Sequence, residues 1–351
     1  MTHETAAPGL AGIPETDPSA LLRWLRDNGV EPAGDVTARR VGLGQSNLTF
    51  TLTDNAGHSW VLRRPPLGPL LASAHDVVRE ARILAALAAT DVPVPGIVGV
   101  CTDPSVAPVP LVVMDFVAGA VLDRMPVAEA LPADVRGRVA DSMIDVLARI
   151  HDVDIDAVGL ADLASHKPYA ARQLKRWSAQ WEKSKTRDIA ELDELTRRLS
   201  AGIPEQTETR LVHGDFHIRN VMVDAESGAV RAALDWELST LGDPLADIGS
   251  TLAYWPAAGE LPLSSAPVEL LPGFPSRAEL AARYLERTGR DPQALRYWHA
   301  LGLWKVAIIA EGVLRRAQDN PANRAAAGVP TSAIVDGLVA KASAVADQAG
   351  L

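Results

Sequence analysis

The sequence predicts an α+β protein in which a small antiparallel β-rich lobe with one main helix precedes a larger, mostly helical lobe. Three observations carry this. Apolar residues alternate with a period of two between Val36 and Leu62. One helical pattern and two more apolar runs then complete a compact set by Gly119. Beyond Gly119 nearly every segment has helical periodicity. At 351 residues the chain is long enough for two such lobes.

Residues 1–16 are rich in Pro, Thr, Gly and Ala without periodicity and read as a mobile arm. Asp17-Pro18 supplies an N-cap and an N1 proline for a short helix carrying Leu21, Leu22, Trp24 and Leu25, and Asn28-Gly29 ends it. Three strands follow in VTARRVGLG, LTFTLTDN and HSWVLRR, with turns at 43–47 and 54–57. AHDVVREARILAALAAT is a helix that Val92-Pro-Val-Pro95 stops, and GIVGVCTD and LVVMDFV are two further strands. Helices are expected over 132–151, 168–185, 188–200, 244–255, 277–288, 291–318 and 330–349, with strands and loops near 210–236. The chain thus divides into an N-terminal arm and short helix at 1–34, a β-rich lobe at 35–117 and a helical lobe at 118–351.

Composition narrows the function. A net charge of -10 argues against nucleic acid or an anionic membrane as partner, although a local basic patch is not excluded. The single cysteine, Cys101, rules out an internal disulfide and a thiolate zinc site. No apolar run of spanning length and no secretory leader is recognisable, so a cytoplasmic protein is expected. Only six residues are lysine and the first is Lys167, so the β-rich lobe must do its work without one.

The strongest chemical signal is LVHGDFHIRNVMVD (211–224) followed by AALDWELSTLGDPLADIGS (232–250). It places a carboxylate and an amide, Asp215 and Asn220, on one loop and a second carboxylate, Asp235, at the end of a neighbouring strand. Metal-assisted phosphoryl transfer needs such a set: a carboxylate to accept the proton of an attacking hydroxyl, and oxygen ligands for Mg²⁺. The motif resembles the catalytic loop and metal strand of the aminoglycoside phosphotransferase and choline kinase-like superfamily, relatives of protein kinases. The resemblance runs from about Val36 to Ala326. GLGQSNLTFTL, WVLRRPPLGPLLASAHDVVREARIL, VPVPGIVGVCTD and LDWELSTLGDPLADI most resemble the phosphotransferase domain that stands alone in many actinobacteria and is fused to acyl-CoA dehydrogenases in animals.

The resemblance implies a protein kinase-like two-lobe fold, with ATP bound between the lobes and 35–117 as the nucleotide-binding lobe. It implies Asp215 as catalytic base and Asn220 and Asp235 as Mg²⁺ ligands. His217 would face the transferred phosphate, Asp247 would brace the catalytic loop, and Glu237 would either support that loop or touch the metal. His213 is read as structural. Between the first two strands, Ser46 in the glycine-containing turn would donate to phosphate oxygens, though glycine there also fits a plain turn. In LVVMDFV the Asp115 carbonyl and Val117 N–H would face the adenine, or the segment is simply a buried strand. The family lysine on the third strand is replaced: Arg63 or Arg64 takes its place, Arg63 by alignment, with Glu80 as its helical partner.

The acceptor is less legible. Between His166 and Arg187 seven basic residues stand against the single acid Glu182, and Trp177 and Trp181 share a helix face. This is either a solvated basic face with two core tryptophans or a site for an anionic, acyl-bearing acceptor touched by Arg176, Trp177 and Trp181. The expected activity is ATP- and Mg²⁺-dependent transfer of the γ-phosphate to a hydroxyl of a small molecule, a hydroxyacyl or acyl-CoA-like compound first. An aminoglycoside, choline-like alcohol or sugar acceptor is the alternative, and a non-catalytic nucleotide-binding module is the second. Oligomeric state is not readable from the sequence.

Overall fold

The computed structural model describes residues 9–41, 47–67, 76–319 and 329–351, in two compact units, Met1–Ala118 and Gly119–Leu351. In the first unit, helix α1 (Pro18–Asp27) precedes strands β1 (Val36–Val41), β2 (Leu48–Asp54) and β3 (Ser59–Arg64). Helix α2 (Val77–Leu87) and strands β4 (Ile97–Cys101) and β5 (Leu111–Asp115) complete it. The five strands form one antiparallel sheet ordered β1-β2-β3-β5-β4. Period-two patterning produces it because Phe50, Leu52, Leu62, Leu111 and Val113 turn to one buried face.

Asp54 closes the β2–β3 turn by accepting the Ala56 and His58 N–H groups on Oδ1, both at 2.9 Å, and Gly57 takes φ +87°. Its second oxygen accepts the Ala33 N–H at 2.9 Å, which ties the segment after α1 to the same hairpin. Helix α1 is capped as its sequence dictates, with the Asp17 carboxylate on the Ala20 N–H at 2.7 Å and Pro18 at its first position.

The expectation of a mobile arm up to residue 16 fails for the part that is described. Gly9–Gly12 forms a short 3₁₀ turn, and Leu10 and Ile13 are buried with α1 and the sheet in one apolar cluster. Arg64 is fully buried and bonds the Pro14 carbonyl and Glu15 Oε2, the latter at 2.9 Å. Arg64 therefore anchors the N-terminal segment. A Pro- and Gly-rich stretch with only two apolar residues has no period to read, so its docking is invisible in the sequence.

The second unit opens with β6 (Ala120–Val121), α3 (Met125–Glu129), α4 (Ala133–Asp152), α5 (Tyr169–Ser184) and α6 (Ala190–Ala201). Strands β7 (Arg210–Val212), β8 (Val221–Val223), β9 (Val230–Ala233) and β10 (Thr240–Gly242) follow, then helices α7 (Pro244–Tyr254), α8 (Arg277–Thr288), α9 (Pro292–Asp319) and α10 (Ser332–Gln348). The strands make two small antiparallel sheets, β6-β8-β9 and β10-β7, which hold the loops between them. Helix α9 is the core helix of this unit: sixteen of its residues are buried, so it is apolar nearly all round. Gly249 on α7 and Gly302 on α9 let the two backbones meet, since a Cβ at Gly302 would lie 2.6 Å from the Gly249 carbonyl oxygen. That close crossing brings α9 up to the loop after β7.

Because Ile13 is packed in a core, Ile13→Ala is expected to lower the unfolding free energy by about 3 kcal/mol in denaturant titrations. A change under about 0.5 kcal/mol would return residues 9–16 to the status of a surface arm.

Candidate active site

The loop after β7 is held from behind by one carboxylate. Asp247, in the first turn of α7 and 1% exposed, accepts the backbone N–H of His213 at 2.5 Å and of Gly214 at 2.7 Å. Burial opposes its ionisation, but His151, His213 and these N–H groups hold its carboxyl below the ordinary carboxylate range. His151 on α4 reaches Asp247 through Nε2 at 3.2 Å and the Tyr284 hydroxyl through Nδ1 at 2.7 Å. Arg290 donates to the Tyr284 hydroxyl and pairs with Glu208 at 2.7 Å, so the chain of contacts runs outward to a charged pair.

His213 is fully buried between Phe216 and Trp236. Its Nε2 faces the Leu234 carbonyl at 3.0 Å and its Nδ1 accepts the Asp215 N–H at 3.4 Å. Both nitrogens are thus used by one neutral tautomer, and burial pushes its pKa down. These bonds agree with the reading of His213 as structural.

Asp215 follows Gly214, whose φ of +84° turns the chain sharply and whose hydrogen points at the Leu238 carbonyl oxygen, 2.5 Å from where a Cβ would be. Asp215 Oδ2 meets Asn220 Nδ2 at 3.2 Å and His217 Nε2 at 3.5 Å. Its Oδ1 is buried without a hydrogen bond of ordinary length, and the Tyr254 hydroxyl stands against the same carboxylate. Burial raises the Asp215 pKa, but His217, Lys305 and His213 pull it well below the usual range, so it is a carboxylate at neutral pH. Asn220 also donates to the Asp215 carbonyl at 2.9 Å, and its own carbonyl accepts the Leu234 N–H at 2.8 Å. That bond places the end of β9, and Asp235 after it, beside the loop.

Asp235 adopts φ +65°, ψ +65°, the left-handed region where a non-glycine residue is strained. Glu237 lies on the 3₁₀ turn Trp236–Leu238 that follows. Asn220 spends its amide nitrogen on Asp215, which leaves the amide oxygen for a cation, and Asp235 adds carboxylate oxygen. Among the described residues no cluster of three His, Cys, Asp or Glu could hold a metal alone. Two hard oxygen ligands suit Mg²⁺, which takes its remaining oxygens from phosphate and water, so the residues fit the ion.

In the first unit, Arg63 Nη1 lies 3.0 Å from Glu80 Oε1, and Glu80 is 3% exposed on α2. Strand alternation sends Leu62 and Arg64 to the buried face instead, so of the two arginines it is Arg63 that meets Glu80. Asp115 ends β5 with its N–H on the Gly96 carbonyl at 2.8 Å, and Val117 follows it. Ser46 lies outside the described residues.

On α5 the two tryptophans part company. Trp181 is 3% exposed and packed in the core, so its assignment to an acceptor site is corrected. Trp177 is half-buried, with the exposed Arg176 on its ring at 5.5 Å and Lys305 Nζ at 5.6 Å. The basic face is also less free than its sequence suggests: Lys185 pairs with Glu182 and Asp188, and Arg172 donates to the Leu241 carbonyl. Trp255, Trp298 and Trp304 are core, whereas Tyr254 is half-buried with its ring 4.5 Å from that of His217. Lys305 on α9, a buried lysine bonded to the Gly214 carbonyl at 2.7 Å, gives no sequence signal because its partner is 91 residues away in an unrelated element.

The sequence model of the phosphotransferase enzyme family matches residues 37–298. Acyl-CoA dehydrogenase family member 10 of Mus musculus is 35% identical over 338 residues, covering 90% of this chain and 31% of that protein. Acyl-CoA dehydrogenase family member 11 of Rattus norvegicus is 33% identical over 80% of this chain and 36% of its own length. The chain thus spans about a third of the curated relatives it matches. Among solved structures, one from Ralstonia eutropha, provisionally assigned as an aminoglycoside phosphotransferase, is 32% identical with TM-score 0.74, covering 95% of this chain and 97% of that one. A macrolide 2'-phosphotransferase from Brachybacterium faecium shares the fold at 20% identity and TM-score 0.55, with coverage of 92% and 97%.

Asp243, the N-cap of α7, tests the electrostatics of this region. Its Oδ1 accepts the Leu245 N–H at 2.9 Å, yet burial pushes its pKa up to about 6. A carboxyl that binds its proton more tightly folded than unfolded gains stability as pH falls through 6 toward 4. Asp243→Asn keeps the cap, so it should exceed the wild type by about 2 kcal/mol at pH 7.5 and lose most of that advantage by about pH 4. A pH-independent difference between the two melting curves would refute the assignment.

Proposed function

The chain belongs to the phosphotransferase enzyme family, and from that membership we propose that it moves the γ-phosphate of ATP to a hydroxyl of a small molecule. The observation that carries this is Asp215 Oδ1: a buried carboxylate oxygen without a hydrogen bond of ordinary length, beside the Tyr254 hydroxyl, on an ionised side chain whose other oxygen is fixed by Asn220 and His217. An acceptor O–H donating to Oδ1 would satisfy it and place a nucleophilic oxygen for in-line attack.

In this mechanism Asp215 orients the acceptor hydroxyl and takes its proton as the O–P bond forms and ADP leaves. Asn220 and Asp235 would hold Mg²⁺, which would supply positive charge to offset that on the transferred phosphate. His217 stands next to Asp215 and would face the transferred phosphate, while Asp247 keeps the loop in place without touching substrate. On the first unit, Arg63, steadied by Glu80, would grip nucleotide phosphate with a planar pair of donors, and Ser46 would add a hydroxyl. Asp115 and Val117 would offer backbone groups to the adenine.

For the acceptor we favour a hydroxyacyl or acyl-CoA-like compound. The relatives named as acyl-CoA dehydrogenase family members support this, as does the positive charge that Arg176 places beside Trp177 on α5. An aminoglycoside acceptor is the second reading, favoured by the provisional assignment of the Ralstonia eutropha structure. A binding module without catalysis would have no chemical need for Asp215, Asn220 and Asp235 together.

Thermal unfolding with nucleotide tests the binding half: Mg²⁺-ATP should raise the midpoint and ATP without metal should not. Asp215→Asn should keep that shift and lose about 10²- to 10⁴-fold in transfer to whichever member of an acyl-thioester, aminoglycoside, choline and sugar panel is phosphorylated. Retained transfer in this variant would remove Asp215 from the role of base.

A further inference from the structure

Lys305 is expensive to keep where it is. It lies at the middle of α9, 8% exposed, in a stretch with Trp298, Leu301 and Trp304. Among the described residues no carboxylate pairs with it; its hydrogen bond goes to the carbonyl of Gly214 at 2.7 Å. Burying an ammonium that makes one hydrogen bond and no close ion pair stabilises a fold less than a methionine of similar shape would, even with two carboxylates in its surroundings. Stability alone does not account for the residue.

The peptide it holds is the one that carries Asp215. That peptide's N–H goes to His213 Nδ1 at 3.4 Å, a long bond, and its carbonyl goes to Lys305. The preceding N–H, on Gly214, is fixed by Asp247. Gly214 has no side chain to restrain it and sits at φ +84°, so the plane between Gly214 and Asp215 turns on whatever holds its carbonyl. The Trp177 ring, 5.6 Å from Nζ, covers the ammonium and limits the other directions it could take. Asp215 and Asp247 both face the ammonium and favour its charged form, while burial and Arg176 oppose it.

We propose that Lys305 is the positioning residue of this site: by holding the Gly214 carbonyl from α9, it fixes the peptide plane from which Asp215 projects. The inference rests on Asp215 being the base. Lys305 touches neither acceptor nor nucleotide; it acts through the loop, and its charge adds to the pull on the Asp215 carboxyl.

The test compares Lys305→Met, Lys305→Arg and Asp215→Asn as full-length proteins. The first readout needs no acceptor: hydrogen exchange of the Asp215 amide and melting temperature. Lys305→Met should keep or raise the melting temperature while that amide exchanges at least about tenfold faster. Lys305→Arg restores the donor, with the small cavity beside Trp177 and Gly302 to take its extra atoms, and should return exchange toward wild type. The second readout is phosphate release from Mg²⁺-ATP with water as acceptor: Lys305→Met should lose about 10-fold or more in kcat with KM for ATP within twofold, and Lys305→Arg should recover most of it. Unchanged exchange in Lys305→Met, or a fall in melting temperature that Lys305→Arg does not correct, overturns the positioning role. If Lys305→Met behaves as expected but Asp215→Asn keeps full turnover, the assignment of the base fails instead.

Discussion

The second unit depends on the Asp247 carboxylate, which takes two consecutive backbone N–H groups from the loop after β7. A buried carboxylate is costly unless every lone pair is used, and here helix α7, two N–H donors and His151 share the work. Because α7 crosses α9 at Gly249 and Gly302, the same helix that holds the loop is itself held by the core. Rigidity passes from the packed helices to two backbone amides, and from them to Asp215. Asp215 is fixed through the main chain, and one oxygen of its side chain is left without a hydrogen bond of ordinary length.

The residues around Asp215 divide by what they hold. His213 and Asp247 grip backbone, Asn220 and His217 grip one carboxylate oxygen, and Asp235 is brought alongside by the bond between Leu234 and Asn220. The left-handed backbone at Asp235 is strain that the adjoining strands and the buried Trp236 must compensate. Strain of this kind, beside an ionised carboxylate kept deep in the protein, is the signature of a site shaped for a ligand more than for the stability of the empty fold.

Much of this was legible in the sequence because it is local. The helices longer than ten residues and the five strands of the first sheet follow from periodicity, and Asp215, Asn220 and Asp235 sit in two neighbouring motifs with apolar flanks. Asp243 is legible as a cap because a Pro-initiated helix starts directly after it, whereas Asp247 as a brace comes only with the family resemblance. What could not be read is long-range. β6 has two residues and β10 three, too few to show a period. Leu10 and Ile13 dock without any pattern, and Trp181 differs from Trp177 only in which neighbour covers it. Lys305 is the sharpest case, since a lysine on an apolar helix looks like a surface residue until the loop it bonds is folded against it.

The Arg63–Glu80 pair on β3 and α2 carries a practical consequence. Surveys that find nucleotide-binding proteins by acylating the amine of a phosphate-binding lysine depend on a nucleophile that can shed its proton. A guanidinium stays protonated across the working pH range and does not acylate, and this chain has no lysine before residue 167. With Arg63 as the phosphate-binding residue, as proposed above, the protein would pass through such chemical censuses unmarked, and reagents that condense with the guanidinium, such as dicarbonyls, would be needed to bring it into view.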